Sequence, residues 1–281
     1  MNTLDLLNKG SKKLKYKGIK SSQIDSEILL SNILGKSREN ILINLDKKIG
    51  SNNIIKFNDF IERRSLKEPI AYILKEKEFW SKDFVVNKST LIPRPETELM
   101  IEKLIKIYYG KKILILDIGT GSGCILISLL SELKNSNGIG VDISKKALEI
   151  AKINALKHEV HHKLRFEKKC FSKIFNKKFD LVVSNPPYIN QRKINKLDDD
   201  IKKFEPLIAL NGGNDGLDVI TKVIYKAKEI LKIKGTLAIE IGNEQFNKIS
   251  VLLKKNRFKI KYKINDYEDN CRCIISTFLG N

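Results

Sequence analysis

Ile113-Leu114-Ile115-Leu116-Asp117-Ile118-Gly119-Thr120-Gly121-Ser122-Gly123 decides the fold of this 281-residue chain. The opening run is apolar and β-branched, as a parallel strand buried on both faces should be, and Ile125 to Leu133 beyond it is an apolar stretch of helical length. The glycines therefore lie in a strand-to-helix turn. There, a missing Cβ lets the backbone approach a ligand, and the N–H groups of the following helix favour a carboxylate or phosphate. A dinucleotide fingerprint would put its third glycine at position 124, which is Cys124. Glycines at 119, 121 and 123 after an acid suit S-adenosylmethionine better, with Thr120 and Ser122 as further cofactor contacts. The next strand, Gly138 to Val141, ends in Asp142, about 20 residues on, where a carboxylate can accept from both ribose hydroxyls. Asp142 before Ser144 has a structural alternative, that of helping to start a helix.

Outward from this turn the pattern alternates. Strands are expected at Gly138 to Ile143, Leu164 to Glu167, Asp180 to Ser184 and Thr236 to Ile241, with helices Lys145 to His158 and Leu217 to Leu231 between them. Parallel strands joined by crossover helices make a doubly wound α/β sheet that binds ligands at the carboxyl ends of its strands. Phe258 to Ile264 and Cys271 to Phe278 read as a terminal hairpin. Three regions result: residues 1-75, a helical domain; 76-94, a hairpin linker; and 95-281, the catalytic domain. In the first, Ser22 caps a helix closing at Gly35, and Ser51 opens another with Ile54, Phe57 and Ile61 on one face. A helix from Pro95 carries Glu96 and Glu98 in its first turn and Leu99, Leu104 and Tyr108 on its inner face.

Asn185-Pro186-Pro187-Tyr188 follows the strand that ends at Ser184. Its parts suit the holding of a planar amino nitrogen. The amide oxygen of Asn185 and the carbonyl of Pro186 can each accept one N–H bond from the same NH2 group. The two prolines stiffen the turn and remove two backbone donors that would compete for those acceptors. Tyr188 offers a flat face to an amide or a base. The bland alternative is a proline-stiffened loop after a buried strand. A sulfonium methyl donor and a nitrogen clamp in one site together define N-methylation.

At this point the chain resembles the bacterial protein-(glutamine-N5) methyltransferases that modify the Gly-Gly-Gln glutamine of peptide-chain release factors. The likeness runs from Glu68-Pro69-Ile70-Ala71-Tyr72-Ile73 through Leu91-Ile92-Pro93-Arg94-Pro95-Glu96-Thr97-Glu98, the glycine turn and Ser184 to Ile189. It continues through Glu205-Pro206-Leu207-Ile208-Ala209-Leu210 to Gly212-Gly213-Asn214-Asp215-Gly216-Leu217. The resemblance implies a seven-stranded methyltransferase sheet with an antiparallel last strand, and a small N-terminal helical domain that recognises the protein substrate. It also implies that Asn185, Pro186 and Tyr188 are catalytic and that Asn185, Pro186, Pro187 and Tyr188 bind substrate. The cofactor is expected at Gly119, Thr120, Gly121, Ser122, Gly123, Asp142, Cys170 and Asn185. Where family members place an acid and then an apolar or aromatic residue near the adenine, this chain has Lys169 and Cys170, followed by Phe171. The Asn-Pro-Pro-Tyr motif is shared with DNA adenine and some RNA base methyltransferases, so an enzyme acting on an exocyclic amino group of a base is the alternative. A regulator that has kept the fold and lost the chemistry is a third reading, which an intact motif disfavours.

The formal charge of +20 would ordinarily suggest nucleic acid, but only 8 of the 53 basic residues are Arg, the residue favoured for bidentate phosphate recognition. A solvated lysine surface is therefore expected, with release factors rather than nucleic acid as partners. Four cysteines suggest no disulfide framework, and Cys271 and Cys273 have no accompanying cluster, so no metal is expected. No apolar segment is long enough to span a membrane and no leader is evident, which points to the cytoplasm.

Overall fold

The computed structural model describes residues 1–175 and 178–280. Asn176, Lys177 and Asn281 of the expected 95-281 domain lie outside the described residues. Two units are present: Met1–Glu76 with Asp198–Phe204, and Lys77–Leu197 with Glu205–Asn281.

The first unit is built from α1 (Thr3–Tyr16), α2 (Ser22–Leu34), α3 (Arg38–Ile43), α4 (Ser51–Ser65) and α5 (Ile70–Leu74). Leu6, Leu14, Leu29, Leu30, Phe57 and Ile61 form its core. Helices α1 and α4 meet at Gly10, where a Cβ would sit 2.7 Å from the Phe57 ring. Helix α2 closes on Gly35 at φ 60, a left-handed position suited to glycine. Its N-cap is Ser21 rather than Ser22, and that of α4 is Gly50 rather than Ser51. The buried guanidinium of Arg64 bonds Asp25 at 2.7 Å and the Glu68 carbonyl at 3.2 Å.

In the second unit the expected hairpin is β1 (Glu76–Phe79) and β2 (Lys82–Val85). Its two turn residues, Trp80 and Ser81, both have positive φ, matching the right-handed twist of the flanking strands. There follow α6 (Pro95–Tyr108), β3 (Leu114–Ile118), α7 (Cys124–Glu132), β4 (Asn137–Asp142), α8 (Lys145–Lys157), β5 (Leu164–Lys168) and β6 (Phe179–Ser184). After α9 (Asp199–Phe204), which belongs to the first unit, the chain continues with α10 (Leu207–Leu210), α11 (Asp218–Ile230), β7 (Leu231–Glu240), α12 (Phe246–Lys255), β8 (Phe258–Asn265) and β9 (Cys271–Phe278).

The sheet has seven strands in the order β5-β4-β3-β6-β7-β9-β8, parallel except for β9, which runs antiparallel to both of its neighbours. Strand order reverses between β3 and β6, and ligand crevices open at such a switch point, beyond the carboxyl ends of the strands. Alternate side chains feed two cores: Ile115, Leu181 and Val183 one, Leu116 and Val182 the other. Helix α6 buries Met100, Ile101, Leu104 and Tyr108, while Leu99, expected on that face, is only half-buried. Strand β7 begins at Leu231, where a helix end was expected; its early part is out of register with β6, and regular pairing resumes at Leu181 and Thr236.

Candidate functional site

The carboxyl ends of β3, β4 and β6 border a cavity of about 340 Å³. Gly119, Thr120, Gly121, Ser122, Asp142, Cys170, Asn185, Pro186 and Pro187 all line it. The motifs read separately from the sequence thus meet at one place.

The glycine turn takes its shape from three left-handed residues, with φ of 73° at Gly119, 55° at Gly121 and 82° at Gly123. Their reasons differ. A Cβ on Gly119 would meet nothing within 4 Å, so its surface is open to a ligand. One on Gly123 would come within 2.9 Å of Ile127 and 3.3 Å of Ala151, which makes this a packing glycine. Gly123 is absent from the cavity wall, contrary to its expected role as a cofactor contact. The N–H groups of Gly119 and Thr120 donate to the Val141 carbonyl at 2.9 and 3.1 Å, and that of Gly121 donates to Asp142 at 3.0 Å. These three donors are already used within the protein. At these three residues the turn therefore offers backbone surface rather than free N–H groups.

Asp142 is half-buried, and its second oxygen accepts from the Ser144 N–H at 2.9 Å. The helix-starting bond and the cavity position coexist. Ser144 itself caps α8, its side chain accepting from Ala147 N–H. Below the turn Asp117 is buried, with one oxygen accepting from the Thr120 hydroxyl at 2.7 Å and the other unpartnered. Burial pushes its carboxyl up to about 7.

On the far wall, Ser184 donates to the Ile118 carbonyl at 2.8 Å and so holds the start of the Asn185-Pro186 turn against β3. Pro186 is buried and Asn185 half-buried. Tyr188 does not line the cavity. Its ring packs into the second core, its hydroxyl donates to Glu240 at 3.3 Å, and its carbonyl accepts from Gln245 at 3.1 Å. The flat face expected to meet an amide or a base is used for packing, because Gly216 and Gly242 leave the room that a side chain would fill: a Cβ on Gly216 would lie 2.4 Å from the Tyr188 carbonyl oxygen, and one on Gly242 would lie 3.1 Å from the ring.

Beyond β5, Lys169 and Cys170 both reach the cavity. Lys169 pairs with Glu167 at 3.1 Å, and its backbone N–H donates to the Asp142 carbonyl. The Cys170 thiol accepts from Ser172, which holds it below its usual range.

Two supports were not legible in the motifs. Asn154 on α8, fully buried, donates to the Ser122 carbonyl at 2.9 Å and to the Val85 carbonyl at 3.0 Å while accepting from Val85 N–H at 2.7 Å. It pairs with β2 as a strand neighbour would and joins the hairpin to the glycine turn. Arg94 bonds Glu205 at 2.6 Å, and the other Glu205 oxygen accepts from Ile92 N–H at 3.3 Å. This joins the Ile-Pro-Arg-Pro segment to the Glu205-Pro206 turn, both on the cavity wall.

Family models place this chain among methyltransferases. The PrmC N-terminal domain matches residues 5–74, the methyltransferase small domain matches 94–201, and the Eco57I restriction-modification methylase matches 155–269. A release factor glutamine methyltransferase of Buchnera aphidicola subsp. Schizaphis graminum is 43% identical, with 97% of this chain and 98% of that one aligned. A bifunctional methyltransferase of Rickettsia prowazekii is 36% identical over 96% of this chain but only 56% of its own length, so the chain spans about half of that relative. Among solved structures, the hMettl16 catalytic domain in complex with MAT2A 3'UTR hairpin 6 superposes with a TM-score of 0.58 at 13% identity, covering 85% of this chain and 87% of that one. That likeness concerns the fold. Among the described residues no helix is long and apolar enough to cross a membrane.

Proposed function

Because the chain belongs to the release factor glutamine methyltransferase family, we propose that it transfers a methyl group from S-adenosylmethionine to the side-chain amide nitrogen of the glutamine in the Gly-Gly-Gln motif of peptide-chain release factors. The observation that carries this reading is the single cavity shared by Gly119, Asp142, Asn185 and Pro186. The residues fit the cofactor: the open face of Gly119 admits close approach, and the Asp142 oxygens retain lone pairs for ribose hydroxyls beyond their two backbone bonds. Gly119, Thr120, Gly121, Ser122, Asp142 and Cys170 would hold it, and when bound it supplies an electrophilic sulfonium methyl.

The chain's own residues supply alignment. An amide nitrogen is a poor nucleophile because its lone pair is delocalised into the carbonyl, so holding it in line contributes much of the rate. The Asn185 amide oxygen and the Pro186 carbonyl accept its two hydrogens and orient it. As the nitrogen gains positive character, these acceptors, already in place, stabilise that charge. Tyr188 acts from behind the turn by anchoring it.

Residues 1-75 serve as the substrate-recognition domain, since the residues that line the cavity begin only at Ser89. The partners are release factors, and the setting is the cytoplasm. The test is incubation with labelled S-adenosylmethionine and, separately, purified release factor, duplex DNA and ribosomal RNA. Label is expected on the release-factor glutamine alone. Label on nucleic acid would replace this reading by base methylation, and binding without label anywhere by a regulatory role.

A further inference from the structure

Glu240, the last residue of β7, is 3% exposed and carries a carboxylate that the proposed mechanism does not use. One oxygen accepts from the Tyr188 hydroxyl at 3.3 Å, the other from the Thr97 hydroxyl at 2.5 Å. These donors come from two different walls. Tyr188 ends the Asn185-Pro186 turn, whereas Thr97 sits in the first turn of α6 and lines the cavity beside Pro93 and Arg94. At its other end the same turn is fixed through Ser184 and the Ile118 carbonyl. Between these two anchors the prolines leave the backbone little freedom. Movement of the Asn185 and Pro186 acceptors then depends on whether Tyr188 stays in place.

We infer that Glu240 is a positioning residue for methyl transfer, fixing the Asn185-Pro186 acceptors through Tyr188 and aligning them with the α6 wall through Thr97. This rests on the methyltransferase reading above, though the anchoring itself does not. A carboxylate suits the task because an ionised one only accepts, so it takes both hydroxyl protons at once. A neutral carboxyl donates with one oxygen, so one of the two hydroxyls must reverse its role and accept, and two charge-assisted bonds become weaker neutral ones.

The ionisation state is set locally. Burial, the largest influence, pushes the Glu240 carboxyl up to about 7. Around it, Glu96 on α6 raises it further, while Arg272 on β9 and the two hydroxyl bonds lower it. The remaining titratable neighbours, Cys273 on β9, Cys124 on α7 and Tyr188, are themselves pushed upward beside it and remain neutral where Glu240 titrates. The ionised form is therefore lost as pH falls through about 7, and with it the charge assistance that holds both hydroxyls.

The experiment uses the full chain with Glu240→Gln and Tyr188→Phe. Two readouts are taken. The first, which needs no substrate, is hydrogen exchange at Ile189 and Gln191, whose N–H groups bond the Leu210 and Gly213 carbonyls directly after the turn. The second is the pH profile of turnover, measured on whichever acceptor the wild type labels. Both variants should exchange these amides roughly tenfold faster or more, as expected when one charge-assisted bond is lost. Turnover should fall by a similar factor while the calorimetric affinity for S-adenosylmethionine stays the same. In the wild type, turnover should rise through about pH 7, and Glu240→Gln should rise less, keeping only what the Asp117 carboxyl, also pushed up to about 7, contributes. Should Glu240→Gln not fold, Tyr188→Phe alone decides by exchange and turnover. Unchanged exchange, or a Glu240→Gln profile that superposes on that of the wild type, overturns the inference. Label on DNA or RNA in the wild type would overturn the release-factor reading and leave this one standing on the same two readouts.

Discussion

Asp142→Ala probes the cofactor half of the site, and its two consequences can be separated. The carboxylate takes backbone N–H groups from Gly121 at 3.0 Å and Ser144 at 2.9 Å, so its removal leaves two donors that water must satisfy. A hydrogen bond to a charged group contributes about 1.5–3 kcal/mol when protected, and Asp142 is half-exposed, so about 1 kcal/mol each is reasonable after water compensates. For a chain of this size the melting temperature should fall by roughly 4–8 °C. Affinity should fall further, because the same carboxylate accepts from the ribose hydroxyls: roughly tenfold to a hundredfold by calorimetry with S-adenosylmethionine. Asp142→Asn should be no milder than Ala. Its amide presents an NH2 group where one oxygen now accepts, and so turns one of the two backbone bonds into a donor facing a donor. An affinity within about twofold of wild type for Asp142→Ala would place the ribose elsewhere. Asp142→Asn with wild-type affinity would mean that only one oxygen matters.

Asn185→Ala should keep cofactor affinity and lose roughly 10²–10³ in turnover, while Asn185→Asp falls between Ala and wild type; a rate for Ala within about threefold of wild type would remove the clamp. The glycines should part company: Gly123→Ala lowers the melting temperature most, because its Cβ meets Ile127 and Ala151, whereas Gly119→Ala, with open space, mainly weakens cofactor binding. Equal effects of the two on both measurements would contradict the packing assignment. A chain beginning at Glu76 should retain cofactor affinity and lose most methylation of intact release factor; full-rate methylation would assign recognition to the remaining residues. The cut belongs at Glu76 rather than inside the hairpin, since Phe79 and Phe84 are both core residues of the catalytic unit.

The legible features were those dictated by local chemistry. The glycine turn could be read because its residues need left-handed φ, and the central strands β3 and β6 because buried apolar runs admit little else. What escaped depended on partners distant in sequence. Tyr188 looked like a platform from its neighbours alone, but the space behind it is made by Gly216 and Gly242, and its anchor is Glu240, 52 residues away. Asn154 resembled any polar residue on an amphipathic helix, because its partner Val85 lies 69 residues upstream. Leu231 resembled a helix end because the early part of β7 is irregular in its pairing.

Gly123 shows how the same residue type can be right for an unexpected reason. Its sequence position suggested ligand contact, yet only its left-handed φ follows from the motif; the demand for a missing Cβ comes from Ile127 and Ala151. The adjoining supports follow the same logic. Asn154, Glu205 and Glu240 each use one buried polar side chain to satisfy two segments from different parts of the chain. Buried polar groups without partners are costly, so such side chains hold their segments to a narrow set of relative positions. The motifs line the cavity, and these supports fix how its walls stand to one another. A substitution at one of these supports should alter alignment before it alters which atoms touch a ligand.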